Sequence, residues 1–175
     1  MPNRVGIIVE GSDDKAVLEH ILRRLGVQAK IRVARGSGNL KRKASSYCKI
    51  LRCSGCDKIV IIRDLNCMDY DSVAREFSAC LAADTRLCIP IHELESWLLA
   101  DQNTLSNLLR SQISQISTPE NIHDAKSKIK EIFERSGRTY IPSRDLPQIA
   151  ERLDLGAVRT KCRSFASFEY SINDC

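Results

Sequence analysis

Oxygen donors dominate the residues whose types and spacing could do chemistry. Glu10 closes the apolar run Ile7-Ile8-Val9, Asp64 and Asn66 follow Ile59-Val60-Ile61-Ile62, and Glu93 and Glu95 follow Ile89-Pro90-Ile91. Asp64 lies 54 residues beyond Glu10, and Glu95 a further 31 on. In an open α/β sheet ligands bind outside the carboxyl ends of the strands, so groups this distant in sequence can converge there. Converging carboxylates repel unless a cation or proton intervenes. Oxygen donors without thiol or imidazole partners select a hard ion, Mg²⁺ or Mn²⁺.

A second candidate is the stretch Gly36-Ser37-Gly38-Asn39, flanked by Arg35, Lys41, Arg42 and Lys43. Glycines let a backbone approach phosphate closely, and a helix start behind them offers free N–H groups. The spacing is not that of a P-loop, and a solvated loop accounts for it equally well. Cys53-Ser54-Gly55-Cys56, with Cys48 upstream, has zinc-like spacing at one end only. Zinc takes about four ligands, and Cys67 is the only further thiol nearby in sequence, so the set is incomplete. His20, His92 and His123 form no ligand pattern by spacing. His92, beside Glu93, is a candidate acid or base, and His20 reads as a packing residue. Trp97, Phe165 and Phe168 read as core.

The elements that must position these groups follow from periodicity. Residues 4–9, 28–34, 58–62 and 85–91 read as strands, the first and third as buried apolar runs. Residues 14–25 place Val17, Leu18, Ile21, Leu22 and Leu25 at helical spacing, with Ser12 or Asp13 as cap and Gly26 as stop. Helices are also expected over 40–52, 71–83 and 93–101, with loops at 36–39 and 64–70. Strands alternating with helices imply an α/β domain with a mainly parallel sheet over about 3–101. Residues 102–175 read as a helical C-terminal extension: a polar connection over 112–123, then helices over 124–135, 145–153 and 162–170.

Composition bounds the rest. The chain has 175 residues, 43% hydrophobic and 28% charged, an ordinary globular profile. Lys and Arg number 27 against 22 Asp and Glu, for a formal charge of +5. Its distribution says more than its total. Residues 20–56 carry ten Lys and Arg and no acid, whereas residues 57–101 carry nine acids. A basic stretch beside an acidic one is what a metal site next to a phosphate backbone requires; a solvated helix face is the plainer account. No run approaches the roughly 18 to 20 apolar residues of a membrane span. The first residues do not read as a signal peptide. A cytoplasmic location and eight reduced cysteines are therefore expected.

The segments Ile7-Ile8-Val9-Glu10-Gly11-Ser12-Asp13-Asp14 and Ile59-Val60-Ile61-Ile62-Arg63-Asp64-Leu65-Asn66 resemble the two motifs of the Toprim domain. The stretch from Ile89 through His92-Glu93-Leu94-Glu95-Ser96-Trp97 to Asp101, and more weakly Arg159 to Phe168, is similar to small stand-alone Toprim-like proteins of prokaryotes. These are akin to the nuclease half of the overcoming-lysogenisation-defect family. The resemblance implies a Toprim-like Rossmannoid α/β fold and a nuclease that hydrolyses phosphodiester bonds of DNA or RNA with one or two Mg²⁺ or Mn²⁺ ions. It implies Glu10 and Asp64 as catalytic residues, with Glu10, Asp64, Asn66 and Glu95 as metal ligands. Asp14 would tether the first helix or bind the ion through water, Asp69 or Glu95 would compensate for Asn66, and Glu93 would be a further ligand or only a helix-dipole partner; apart from the resemblance, the glycine-rich stretch itself offers Arg35, Lys41 and Lys43 to phosphate. The resemblance further implies an ATPase partner and a place in prokaryotic anti-phage defence. Asn66 stands where the family motif has a second Asp, and an amide oxygen brings no charge to an ion. Two other readings follow: a non-catalytic binding or regulatory subunit, or a phosphatase with Asp64 as nucleophile. The second leaves Glu10 and Glu95 without a role.

Overall fold

The computed structural model describes residues 4–173. Four strands form one all-parallel sheet: β1 (Val5–Val9), β2 (Ala29–Val33), β3 (Lys58–Ile62) and β4 (Thr85–Cys88), in the order β2-β1-β3-β4. The chain starts in the middle of the sheet and crosses to each side in turn, so β1 and β3 are central. Their registers pair Val5 with Ala29 and with Lys58, and Ile59 with Thr85. All five residues of β1 are buried, as expected for a strand covered on both faces.

Alternation along the strands divides the core in two. Val5, Ile7 and Val9 of β1, with Val60 and Ile62 of β3, face one side. Ile8, Ile59 and Ile61 face the other. The second face is covered by α2 (Ser37–Cys53) and α3 (Tyr70–Glu76), through Leu40, Ala44, Cys48, Leu51 and Val73. Gly6 permits the close approach of α2, because a Cβ there would lie 2.9 Å from the Leu51 side chain.

The first face is covered by α1 (Ser12–Arg24) and by the C-terminal helices α4 (Gln102–Leu109), α5 (Ala125–Arg135), α6 (Pro142–Arg152), α7 (Leu155–Lys161) and α8 (Arg163–Asn173). Their apolar residues, among them Ile129, Phe133, Ile149, Phe165 and Phe168, join the same buried cluster as β1 and α1. Trp97 sits at its centre, fully buried, with Phe165 edge-on at 5.1 Å and Phe168 at 5.5 Å. Its indole Nε1 donates to Ser164 Oγ at 2.8 Å. No helix among the described residues is long and apolar enough to cross a membrane.

Several boundaries differ from the periodicity. The stretch 36–39 is not a loop: α2 begins at Ser37, so Ser37, Gly38 and Asn39 form its first turn. Residues 94–100 form a 3₁₀ segment rather than an α-helix. All seven side chains there are buried, and without a polar face nothing orients them as an amphipathic helix. The helix expected over 71–83 stops at Glu76 and is followed by a 3₁₀ turn at Ser78–Cys80. The last strand ends at Cys88, and α4 and α7 were not expected. Both open on an aspartate cap. Asp101 accepts from Thr104 N, and Asp154 accepts from Gly156 N and Ala157 N.

Candidate metal centre

The carboxyl ends of β1, β3 and β4 open into one cleft of about 270 Å³. It is lined by Glu10, Gly11, Asp14, Gly36, Asp64, Asn66, Glu93 and Lys126, together with Ser12 and Asp13. Asp14 and Asp64 of that lining and the neighbouring buried Glu95 bring one carboxylate oxygen each to within 4.8 Å of one another. Parallel topology does this. Each strand runs out at the same edge, and the segment that follows it passes the same hollow, Asp14 on α1, Asp64 two residues past β3 and Glu95 on the 3₁₀ segment past β4.

Each carboxylate is held differently. Asp14 sits in the first turn of α1, and its Oδ2 accepts from Gly11 N at 2.8 Å. Asp64 Oδ1 accepts from Leu94 N at 3.1 Å, which ties the end of β3 to the 3₁₀ segment. Glu95 is 1% exposed. Its Oε1 meets Lys126 Nζ at 3.2 Å, while its Oε2 is buried with no hydrogen-bond partner. Such an orphaned acceptor costs about 1–3 kcal/mol unless something satisfies it. A divalent cation does so, and the donor set of carboxylate oxygens suits Mg²⁺ or Mn²⁺.

The electrostatics of the three carboxyls follow from their burial together. Burial pushes Asp14 up to about 6, against the Gly11 N–H and Lys126, with Glu10 and Asp13 adding repulsion. Burial likewise holds Asp64 well above the usual carboxylate range, helped by Asp14, Glu95 and Glu10. Glu95 is pushed up to about 7 by burial, against Lys126, with Asp14 and Glu93 raising it further. Burial alone would lower Lys126, but Glu95, Asp14 and Glu93 outweigh it and hold its ammonium firmly charged.

A pH dependence follows. These carboxyls titrate higher in the folded chain than in the unfolded one, so folding without a metal favours their protonated forms. That stability is fully present near pH 4 and below, and is lost as pH rises through about 6 to 7. Melting temperatures of chelator-treated protein are expected to fall from about pH 5 to about pH 8, and to fall less with Mn²⁺ present. A flat or rising profile without metal would remove the repulsion argument.

The structure redistributes the expected ligands. Asp14, expected only as support, stands in the central trio with Asp64 and Glu95. Glu10 lines the cleft but is paired with Arg63, whose Nη1 donates to Glu10 Oε1 at 2.6 Å and to Asp64 O at 2.6 Å. Arg63 is itself buried. Asn66 lines the cleft at φ 47°, a left-handed conformation. Glu93 accepts from Lys126 N at 3.1 Å. Asp69 is not among the residues lining the cleft. It caps α3, accepting from both the N and Oγ of Ser72 at 2.9 Å, which holds its carboxyl below the usual range.

Of the basic residues, Lys41 meets Glu76 at 3.5 Å and Arg42 donates to Asn39 Oδ1 at 2.7 Å, both on the surface. Arg35 is exposed at φ 64°, beside Gly36 at the cleft. Lys43 is half-buried on the first turns of α2. Lys126 and Arg63 were missed by the sequence reading. Lys126 lies in the C-terminal segment with no local motif. Arg63, a charge set between a buried strand and a candidate ligand, was the readable signal.

Comparison with known protein families gives one match, over residues 9–173, to the family described as Domain of unknown function (DUF4276). The chain belongs to that family. No curated protein and no solved structure matches it. The DUF4276 match spans Asp14, Asp64 and Glu95 and extends through α8, so β2 to β4, the 3₁₀ segment that carries Trp97 and the helix that supplies Lys126 all fall within it.

Proposed function

We infer that this DUF4276 chain is a Toprim-like, Mg²⁺- or Mn²⁺-dependent nuclease that hydrolyses phosphodiester bonds in DNA or RNA. The observation that carries the reading is the trio Asp14, Asp64 and Glu95, with one buried, unpartnered Glu95 oxygen beside the other two carboxylates. These three residues would hold the ion, with Asn66 and Glu10 at its margin. A bound ion of this class polarises a phosphoryl oxygen and activates water.

The chain's own groups supply the remainder. Two helices begin at the cleft, α1 behind Gly11 and α2 behind Gly36, and free N–H groups at helix starts favour phosphate oxygens. Lys126 places an ammonium at the same opening. Phosphoryl transfer depends mainly on such positioning and charge, so no side-chain nucleophile is required. Arg63 engages the Glu10 carboxylate and fixes the end of β3 through Asp64 O.

The basic run over residues 20–56 includes the exposed Lys41 and Arg42 of α2, with Lys43 beside them. It supports a polyanionic partner. Replacing Lys41 and Lys43 by alanine is expected to lower the slope of log affinity against log salt by about two. Filter binding to a short duplex at several salt concentrations measures it, and an unchanged slope removes these two residues from the interface.

The deciding experiment is a calorimetric Mn²⁺ titration of wild type and Glu95→Gln, with plasmid and total-RNA cleavage assayed on the same samples. Binding and cleavage, both lost in the variant, uphold the nuclease. Absence of Mn²⁺ binding in wild type overturns it. A second reading, a binding or regulatory subunit of an ATPase in anti-phage defence, is favoured by uncharged Asn66 and by the engagement of Glu10 with Arg63. It predicts Mn²⁺ binding without cleavage until the partner is added.

A further inference from the structure

Beside the acidic trio lies a second cluster of a different chemical kind. Cys67 Sγ is 3.3 Å from His123 Nδ1 and 3.9 Å from His92 Nδ1, and the donor atoms of all three residues lie within 4.8 Å of one another. The two imidazoles pack with centroids 4.1 Å apart and planes tilted by 39°. These residues are 25 and 31 positions apart in sequence, and only the fold brings them together. In contrast, Cys48, Cys53 and Cys56 belong to no such group among the described residues.

The spacing fits a tetrahedral ion. Zinc bonds sulfur at about 2.3 Å and imidazole nitrogen at about 2.0–2.1 Å. At a tetrahedral angle those lengths put sulfur and nitrogen about 3.6 Å apart, between the two observed separations. One thiolate and two imidazoles form a borderline-soft donor set, which selects Zn²⁺ or its analogue Co²⁺ over Mg²⁺ or Mn²⁺. Cys67 and His123 are exposed and His92 half-buried, so the fourth position faces solvent. Three protein ligands with an open fourth position are the pattern of exchangeable or reactive zinc sites, not of closed structural ones.

The placement of the three residues is systematic. Cys67 follows Asp64 by three positions, His92 precedes Glu95 by three, and His123 precedes Lys126 by three. The same three segments therefore supply one group each to the acidic cleft and one each to the thiol–imidazole cluster. Cys67 is presented by a tight turn in which Met68 N donates to Leu65 O at 2.9 Å. Both central residues of that turn are left-handed, Asn66 at φ 47° and Cys67 at φ 62°. A non-glycine residue in this region is strained and needs surroundings that hold it there.

We propose that Cys67, His92 and His123 form a second metal centre, specific for Zn²⁺-class ions, whose open fourth position takes water or an anionic oxygen. A bound ion would clamp the loop after β3, the loop after β4 and the start of α5, which are the segments that shape the acidic cleft. The proposal stands on its own geometry and does not require the cleft to be a nuclease.

The test is Co²⁺ titration of the full chain after metal removal, followed by absorption spectroscopy and displacement by Zn²⁺. Wild type is expected to bind one Co²⁺ with a thiolate-to-metal charge-transfer band and intense tetrahedral d–d bands, both removed by one equivalent of Zn²⁺. Cys67→Ala should abolish the charge-transfer band. His123→Gln should weaken affinity by about 10²-fold or more, beyond what loss of an outer partner costs. Circular dichroism and Mn²⁺ titration of each variant verify that the fold and the acidic cleft persist. Three results overturn the proposal: no Co²⁺ binding, a spectrum without a thiolate band, or a thiolate band unchanged in Cys67→Ala.

Discussion

Asp64→Asn is expected to make the metal-free protein more stable while removing its response to Mn²⁺. The substitution deletes one charge from a group of mutually repelling buried carboxylates. It keeps the oxygen that accepts from Leu94 N, so the joint between β3 and the 3₁₀ segment survives. Relief of such repulsion typically returns about 0.5–2 kcal/mol. For a chain of this size each kcal/mol moves the melting temperature by roughly 2–4 °C. The gain should grow with pH, because repulsion grows as the neighbouring carboxyls ionise.

In the wild type a bound cation would offset the same repulsion. At a hundredfold excess of ion over its dissociation constant, binding adds about 2.7 kcal/mol, and Asp64→Asn should recover little of it. If the cleft is a nuclease, cleavage falls by about 10²–10³-fold, the size expected for losing one preorganised charge. Paired thermal melts with and without Mn²⁺, plus a cleavage assay, measure all three effects. A variant that is less stable without metal yet cleaves normally would show that Asp64 is structural.

Trp97→Ala carries the largest expected loss of stability. The indole is fully buried between the 3₁₀ segment and α8, against Phe165 and Phe168. Truncating a buried aromatic costs about 3–5 kcal/mol, out of the roughly 5–15 kcal/mol that holds a domain together. The change also removes the donor to Ser164 Oγ, a hydroxyl that donates to the buried carboxylate of Glu120. Glu120 in turn accepts from Arg163 N and Ser164 N at the start of α8. Trp97→Phe keeps most of the volume and loses the hydrogen bond and part of the ring's contacts, so it should cost less, about 1–3 kcal/mol. Urea denaturation separates the two. Equal midpoints for both variants would mean that packing around the ring contributes little. Because Glu95 lies two positions from Trp97, the alanine variant should also bind Mn²⁺ more weakly.

The central strands were readable from local pattern. The runs 5–9 and 59–62 are β-branched apart from Gly6 and bounded by charged residues, and a strand buried on both faces needs little else. The helix of residues 12–24 was readable from spacing alone. Where the pattern misled, a tertiary contact had overridden it. Residues 94–100 are apolar enough for a helix, yet every side chain is buried and the segment forms a 3₁₀ turn instead. Gly36 to Asn39 has the composition of a loop, but Gly36 stands at φ 111° and turns the chain straight into α2.

The same division runs through the candidate metal centre. Asp64 and Glu95 stood out because each follows an apolar run, and a parallel α/β sheet sends such residues to one edge. Local sequence could not rank Asp14 above Glu10, since that depends on the buried Arg63 that engages Glu10. Nor could it supply Lys126, which reaches Glu95 from a helix 31 residues downstream.

The alternating elements, the parallel sheet and the candidate acids follow from patterns within a few residues, because hydrophobic periodicity and strand ends are local properties. The pairing of Glu10 with Arg63, the orphaned oxygen of Glu95 and the meeting of Cys67 with His92 and His123 exist only in the packed molecule. Each is a distance between side chains on separate segments, and such distances are set by how the helices close over the sheet.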